Sequence, residues 1–147
     1  MLKHIPAILT PDLLKVLMEM GHGDEIVIAD GNFPGAAIAK RLIRLDGHDV
    51  PEVLRAVLHF LPLDSYTPKP VGLMEVVPGD PVVPAIWETY RSILSEEEPE
   101  HSEIEYIERF AFYERAKNAY AVIATGETAI YASILLKKGV VLPEDAS

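Results

Sequence analysis

The sequence contains no cysteine. This absence excludes a disulfide framework, a thiolate nucleophile and a zinc site built on cysteine. A reducing cytoplasm is therefore the simplest compartment, and we expect the protein there. The 147 residues also contain no uninterrupted apolar run of the roughly 18 residues that a membrane helix requires, and the N-terminal stretch does not read as a signal peptide.

Positive charge is also scarce. The chain carries 13 basic against 23 acidic residues, a formal net charge of −10. Nucleic acid and anionic membranes would repel such a chain, so the expected ligand is a neutral small molecule. Hydrophobic residues make up 49% of the sequence, and with the 9 glycines the apolar share reaches roughly 55%, above the usual range. This excess predicts surface that is hidden in a homo-oligomer.

Several motifs that carry familiar chemistry are missing. The sequence has no GxxxxGK[ST] loop, no GxGxxG after a strand, no HExxH and no GxSxG elbow. Their absence argues against a nucleotide enzyme, a zinc protease and an α/β-hydrolase. What remains is acid–base chemistry by His, Asp, Glu, Tyr and Arg.

Helical and strand patterns alternate along the chain. Helices are predicted after Thr10 and Pro11, from Asp49, after Pro84, and over 109–118. Short apolar runs predict strands at 26–29, 43–45, 72–77, 120–124 and 133–136. This alternation predicts a single α/β domain over residues 1–147, a three-layer α/β/α fold with a mostly parallel, mixed central sheet.

Two polar residues near the first strand are candidates for a functional site. Asp30 directly follows the strand, where open α/β sheets bind ligands, but Asp-Gly is equally the composition of a plain turn. His22 lies between two glycines and suits general acid–base catalysis, or it only interacts with the dipole of the first helix. Spacing alone does not decide either case.

A metal site is a further interpretation of this segment. Asp24 and Glu25 follow His22 directly, and with Asp30 they offer oxygen and nitrogen ligands. Adjacent residues of a strand point to opposite faces, however, so these acids do not converge. We therefore expect no metal.

The C-terminal half adds three candidates. Arg109 has a planar fork that suits a hydroxylated ligand, or it is a surface arginine paired with Glu105 or Glu108. Tyr120 and Tyr131 flank a predicted turn, and each offers a hydroxyl to a ligand or packs into the core with the hydroxyl at its rim.

Taken together, the segments 20–34, 63–66, 109–116 and 135–140 resemble the fucose mutarotase / ribose pyranase family. The similarity runs in order over nearly the whole chain. Gly23 stands where the ribose pyranase branch usually carries threonine, and the run Arg109–Arg115 also resembles the fucose branch.

This resemblance implies a cofactor-independent isomerase that interconverts the α and β anomers of a free monosaccharide, L-fucose. It implies that His22 is the proton donor. The sugar-binding residues that it implies are Asp30, Arg109, Tyr120, Tyr131, Ala132 and Ser133. Family members assemble as decamers of two stacked pentameric rings, with sites near subunit borders, so a homo-oligomer is expected here as well.

The chain departs from the family at one position, because the usual Tyr-Gly-Asn is here Tyr131-Ala132-Ser133. Sugar preference changes if the family contact uses the Asn side chain, and little changes if it uses the backbone. The base that takes the anomeric proton stays open among Asp30, Tyr120, Tyr131 and a bound water. Ribose pyranase activity, a non-catalytic sugar-binding or transport-associated module and, more distantly, a metal-dependent hydrolase are the alternative functions.

Overall fold

A six-stranded sheet forms the centre of the structure, a computed structural model that describes residues 1–146. Its strands are β1 (Glu25–Ala29), β2 (Leu42–Leu45), β3 (Val71–Met74), β4 (Ile104–Ile107), β5 (Ala121–Thr125) and β6 (Ile134–Lys137). They lie in the order β2-β5-β1-β6-β3-β4. Only β6 runs antiparallel to its neighbours β1 and β3, and the remaining pairs are parallel, so the sheet is mixed and mostly parallel as predicted.

Helices cover both faces of this sheet. They are α1 (Pro11–Glu19), α2 (Gly35–Ile38), α3 (Val50–Leu58), α4 (Ile86–Glu97) and α5 (Arg109–Asn118). Helices α1, α3 and α4 share one hydrophobic core with the sheet, and α2 and α5 pack against the other face. The three-layer α/β/α prediction is confirmed. None of the helices in residues 1–146 has the length and apolar content that crossing a membrane requires.

The alternation of side chains in β1 explains the apolar run that follows its first residue, Glu25. Ile26 and Ile28 point into the core beneath α1, α3 and α4, whereas Val27 and Ala29 point toward α2 and α5. All four are at most 1% exposed. These four positions are covered on both faces and carry no polar side chain, which is why the sequence predicted the strand over 26–29.

Local capping signals also match the sequence. Thr10 Oγ1 accepts a 3.3 Å hydrogen bond from the Leu13 N–H at the start of α1. Asp49 Oδ1 accepts a 2.9 Å hydrogen bond from the Glu52 N–H at the start of α3. Both residues therefore act as the predicted N-caps.

Three local predictions were incomplete. Strand β4 and the four-residue helix α2 were not predicted, because β4 is a short edge strand and α2 is a single turn with no periodic pattern. The predicted strand 72–77 ends at Met74, and the N–H of Val77 donates to a side chain instead of extending the strand.

Candidate active site

A cavity of about 320 Å³ opens at the edge of the sheet where β1 and β3 end. Its polar lining comprises Asp30, Asn32, Asp80, Arg109, Tyr113, Tyr131 and Ser133, and its apolar lining comprises Phe33, Met74, Val77 and Ile130. Because β6 is antiparallel to β1, the residues before β6 meet the residues after β1. Four of the predicted sugar-binding residues therefore converge from distant parts of the chain: Asp30, Arg109, Tyr131 and Ser133.

Ser133 fixes the carboxylate of Asp30. Its hydroxyl donates to Asp30 Oδ2 at 3.0 Å and accepts from the Asp30 N–H, also at 3.0 Å. The other carboxylate oxygen, Oδ1, accepts from the N–H of Asn32 at 2.9 Å. Ser133 is 2% exposed, so this pair is shielded from water on its core side, and the remaining lone pairs of the carboxylate stay available for hydroxyl donors.

Arg109 supplies the positive charge of the cavity. It is the first residue of α5, and the carboxylate of its neighbour Glu108 caps the helix by accepting from the N–H groups of Phe110 and Ala111 at 3.0 Å each. These backbone hydrogen bonds lower the pKa of Glu108. The predicted alternative, an Arg109 ion pair with a neighbouring glutamate, is wrong within residues 1–146: Glu105 is bound by Arg115 at 2.8 Å.

The guanidinium of Arg109 instead lies beside the phenol of Tyr113. Its Nε is 3.4 Å from the Tyr113 hydroxyl, and this hydrogen bond raises the pKa of Arg109. The guanidinium of Arg109 is always protonated, so at the rim of the cavity it can donate hydrogen bonds to ligand oxygens but cannot act as a base.

Tyr131 has an unusual backbone and a hydroxyl with two protein partners. Its φ is 56°, in the left-handed region that non-glycine residues rarely adopt. Its hydroxyl donates to Asp80 Oδ2 at 2.7 Å and accepts from the N–H of Val77 at 3.2 Å. The hydrogen bond to Asp80 raises the pKa of Tyr131, so the phenol is neutral near pH 7.

The sequence reasoning missed Asp80. A usable signal was present, because Pro78-Gly79-Asp80 follows β3, and parallel strands end at the same edge of a sheet. The sequence did not show the order of the strands, in which a single strand, β6, separates β3 from β1.

His22 lies at the opposite edge of the sheet, before β1 begins. Strand β1 alone separates the two ends by about 13 Å, from four steps of about 3.3 Å. The structure therefore does not bring His22 into the cavity of Asp30 within one chain.

A buried carboxylate holds the His22 ring. His22 Nε2 lies 2.9 Å from Asp64 Oδ1, and the side chains are 46% and 5% exposed, respectively. Asp64 also accepts from the Thr67 hydroxyl at 2.6 Å and from the Tyr66 N–H at 3.1 Å. Burial opposes ionisation of Asp64, but the hydrogen bonds from Thr67, His22 and Tyr66 outweigh it and lower its pKa to about 2.

This ionised Asp64 determines the hydrogen-bonding role of the imidazole. A carboxylate can only accept, so Nε2 of His22 is the donor and carries a hydrogen. The other ring nitrogen, Nδ1, is the position left for exchanging a proton with a ligand. Asp64 belongs to the segment 63–66 that resembles the family, but the sequence did not indicate its contact with His22.

Two predicted binding residues do not line the cavity. Tyr120 precedes β5 at the His22 edge of the sheet, where its hydroxyl donates to Glu19 at 2.8 Å and its ring stacks on the guanidinium of Arg41 at 3.9 Å. Ala132 is completely buried, and its carbonyl accepts a 2.6 Å hydrogen bond from the Tyr90 hydroxyl. Neither side chain lines the cavity within one chain, and the sugar-binding roles of Tyr120 and Ala132 stay predictions.

The acidic residues near His22 have separate partners. Asp24 accepts from the Gly21 N–H at 2.7 Å, and Glu25 is paired with Arg115 at 2.5 Å. Within residues 1–146, no group of three or more His, Asp or Glu side chains is placed to hold a metal ion.

Comparisons with known proteins agree with this architecture. A sequence profile described as the RbsD / FucU transport protein family matches residues 3–141. Fucose mutarotase of Bos taurus is 51% identical over 150 residues, covering 98% of this chain and 97% of that protein. L-fucose mutarotase of Actinobacillus pleuropneumoniae serotype 5b is 45% identical over 140 residues, covering 95% of this chain and 97% of that protein.

Two solved structures are similar over nearly their whole length. The fucose mutarotase in complex with L-fucose from Streptococcus pneumoniae superposes with a TM-score of 0.92 at 55% sequence identity, covering 96% of this chain and 100% of that chain. Bacillus subtilis RbsD complexed with D-ribose superposes with a TM-score of 0.70 at 28% identity, covering 97% of this chain and 100% of that chain.

Proposed function

The chain belongs to the RbsD / FucU family, and from that membership we propose that it is a sugar mutarotase that interconverts the α and β anomers of L-fucose. The observation that carries the proposal is the convergence of Asp30, Arg109, Tyr131 and Ser133 on one cavity in a chain that closely matches fucose mutarotases. The similarity to the fucose complex is greater than that to RbsD, which favours fucose over ribose.

Mutarotation needs only proton transfer. The ring opens when the anomeric hydroxyl loses its proton and the ring oxygen gains one, the carbonyl then presents its other face, and the ring closes. No electrons are transferred and no activated group is consumed, so the mechanism that we propose uses no cofactor. A positioned acid and base together contribute a factor of about 10²–10⁴, which suits a reaction that already proceeds in water.

We assign binding to the cavity residues. The fixed carboxylate of Asp30 accepts hydrogen bonds from sugar hydroxyls, and the fork of Arg109 donates to sugar oxygens. Ser133 orients Asp30 and contributes to binding through it. Phe33 and Met74 offer apolar surface for the less polar face of the sugar.

We assign the acid to His22, supplied by a neighbouring copy of the chain. One chain holds the binding cavity and the His22–Asp64 pair at opposite ends of the strands. In the proposed assembly, a neighbouring copy therefore places its own His22 against the cavity. The exposed fraction of His22 supports this assignment, as does Tyr66, which is 79% exposed although its ring lies 5.3 Å from the imidazole. Further exposed apolar side chains favour assembly as well: Met18, Phe60, Val140, Val141 and Leu142.

The decamer of two pentameric rings is the assembly that we propose on the basis of the family resemblance. A cytoplasmic location is proposed as well, since a chain without cysteine needs no oxidising compartment. Sedimentation of the purified protein measures the assembly directly.

Anomer exchange measured by NMR magnetisation transfer tests the activity. We expect wild-type protein to accelerate exchange of L-fucose, and His22→Ala to lose this acceleration while its circular dichroism spectrum stays unchanged. His101→Ala, which alters an exposed histidine ahead of the outermost strand β4, is the matched control and should keep full activity.

The same assay separates the alternatives. Sugar binding without accelerated exchange identifies a non-catalytic module, and faster pyranose–furanose exchange of ribose identifies a pyranase. Full activity of His22→Ala removes His22 from the mechanism.

Mixed oligomers test the composite site. His22→Ala and Arg109→Ala should each be inactive alone, because each breaks every site in its own assembly. Co-expression of the two variants should restore part of the activity, since some sites then combine an intact His22 edge with an intact Arg109 cavity. Mixed assemblies that form but stay inactive would contradict a site that is shared between copies.

A further inference from the structure

The hydroxyl of Tyr131 is held by two contacts that leave one direction open. A phenol hydroxyl has one hydrogen to donate and two lone pairs to accept with. The hydrogen points to Asp80 Oδ2 at 2.7 Å, and one lone pair accepts from the Val77 N–H at 3.2 Å. The second lone pair has no protein partner within residues 1–146, and Tyr131 lines the cavity beside Arg109.

Asp80 is itself fixed in a tight turn. Its N–H donates to the Val77 carbonyl at 3.0 Å, across a turn in which Gly79 has a φ of 91°. Its Oδ1 accepts from the Val82 N–H at 3.1 Å, which leaves Oδ2 directed at Tyr131. One turn therefore supplies both contacts to the tyrosine hydroxyl, the N–H of Val77 and the carboxylate of Asp80.

Resting on the mutarotase function proposed above, we infer that Asp80 is the positioning residue that turns Tyr131 into the base of the reaction, by receiving the phenolic proton. During ring opening the anomeric O–H bond breaks and its proton bonds to the open lone pair of Tyr131. At the same time the original phenolic proton moves to Asp80 Oδ2.

The proton balance of this step closes with the acid on the other side of the sugar. The electron pair of the anomeric O–H bond forms the carbonyl, the pair of the cleaved C–O bond goes to the ring oxygen, and that oxygen takes a proton from His22. Ring closure reverses each transfer. The tyrosine stays neutral before and after the step, in agreement with its raised pKa, and no redox partner is needed.

Tyr131 on its own would be a poor base, because a neutral phenol that accepts a proton becomes a cation. A carboxylate at hydrogen-bond distance removes that obstacle, since it accepts the original proton as the new one arrives. Asp80 therefore acts through Tyr131, and its effect depends on the presence of the tyrosine hydroxyl.

The substitution Asp80→Asn tests this dependence. The asparagine oxygen can still accept from the Val82 N–H, so the turn is kept, and its NH₂ group then donates to the Tyr131 hydroxyl instead of accepting from it. The tyrosine stays anchored, but the amide cannot receive its proton. We expect kcat for L-fucose anomer exchange to fall about 100-fold, within the range for loss of general acid–base catalysis, while KM changes less than about threefold. Asp145→Asn, at an exposed aspartate, is the control and should match the wild type.

A double-substitution cycle separates action through Tyr131 from direct contact with the sugar. Tyr131→Phe should also lower kcat about 100-fold, and Asp80→Asn should then slow the Tyr131→Phe protein less than about twofold further. The inference is overturned if Asp80→Asn keeps wild-type kcat, if it raises KM instead, or if the two effects multiply. A wild-type protein without catalysed exchange overturns the mutarotase function itself, whereas an active wild type with an unimpaired Asp80→Asn overturns only the role of Asp80.

Discussion

The hydroxyl of Tyr90 donates a 2.6 Å hydrogen bond to the carbonyl of Ala132. Tyr90 lies on α4 and is completely buried, and Trp87 on the same helix donates from its indole N–H to the carbonyl of Tyr131 at 2.8 Å. Two aromatic donors from one helix therefore hold successive carbonyls of the strained segment that carries Tyr131. The backbone strain at Tyr131 persists because these contacts hold the segment from behind.

Tyr90→Phe should lower both stability and activity. It leaves the buried carbonyl of Ala132 without its partner, which costs about 1–3 kcal/mol of unfolding free energy. It also loosens the segment that positions Tyr131, so kcat for anomer exchange should fall more than KM rises. Denaturant unfolding and the NMR assay measure the two effects.

Tyr106→Phe is the matched control for that substitution. The Tyr106 hydroxyl, on the outermost strand β4, accepts an exposed hydrogen bond from Arg91 of α4, so its loss should change stability by less than about 0.5 kcal/mol. Equal losses in the two variants would contradict a special role for the Tyr90–Ala132 hydrogen bond.

Ser133→Ala should weaken sugar binding and leave the fold intact. The substitution removes both hydrogen bonds that Ser133 makes with Asp30, and the carboxylate becomes free to rotate. A net loss of about 1 kcal/mol corresponds to a rise of about fivefold in KM for L-fucose. Ser92→Ala, at an exposed position of α4, should leave KM unchanged, and an unaltered KM for Ser133→Ala would show that Asp30 needs no orientation by the serine.

Asp64 should make stability depend on pH in the acid range. Its pKa falls from 3.8 to about 2 on folding, so the folded state binds fewer protons than the unfolded state between these values. The contribution is fully present above about pH 4 and is lost as pH falls through about 2, and its size is on the order of 1–2 kcal/mol. Unfolding free energies at pH 5 and pH 2 measure this loss.

The variant Asp64→Asn isolates that contribution. It should be less stable than the wild type at pH 5, and the difference should shrink toward pH 2, where the wild-type carboxylate is half protonated. Asp12→Asn, at an exposed aspartate of α1, should show no such convergence. A stability difference between Asp64→Asn and the wild type that is constant across this range would contradict the lowered pKa.

Gly126→Ala should be strongly destabilising. A methyl group at this position would lie 2.1 Å from the carbonyl oxygen of Asp46, which is main chain and cannot turn aside. We expect a loss of at least about 2 kcal/mol of unfolding free energy, as overpacking against a fixed neighbour requires. Gly47→Ala, where a methyl group meets nothing within 4 Å, is the control, and thermal melting of both variants decides the comparison.

The sequence alone determined the elements whose causes are local. Five of the six strands, the caps at Thr10 and Asp49 and the helix from Arg109 to Asn118 follow from apolar runs, capping side chains and helical spacing. The family resemblance also named four residues of the cavity, because their motifs are continuous in the chain. The edge strand β4 was missed, since a four-residue strand with mixed burial gives a weak pattern.

Only the tertiary structure decided which residues act together. The position of β6 between β1 and β3 joins Ser133 to Asp30 and Tyr131 to Asp80, pairs that lie 103 and 51 positions apart in the chain. The same sheet places His22 and Asp30 at opposite ends of one strand, although they lie only eight positions apart in the chain. The physical reason is that hydrogen bonds between neighbouring residues depend on the local chain, whereas contacts between strand ends depend on the order and direction of strands across the whole sheet.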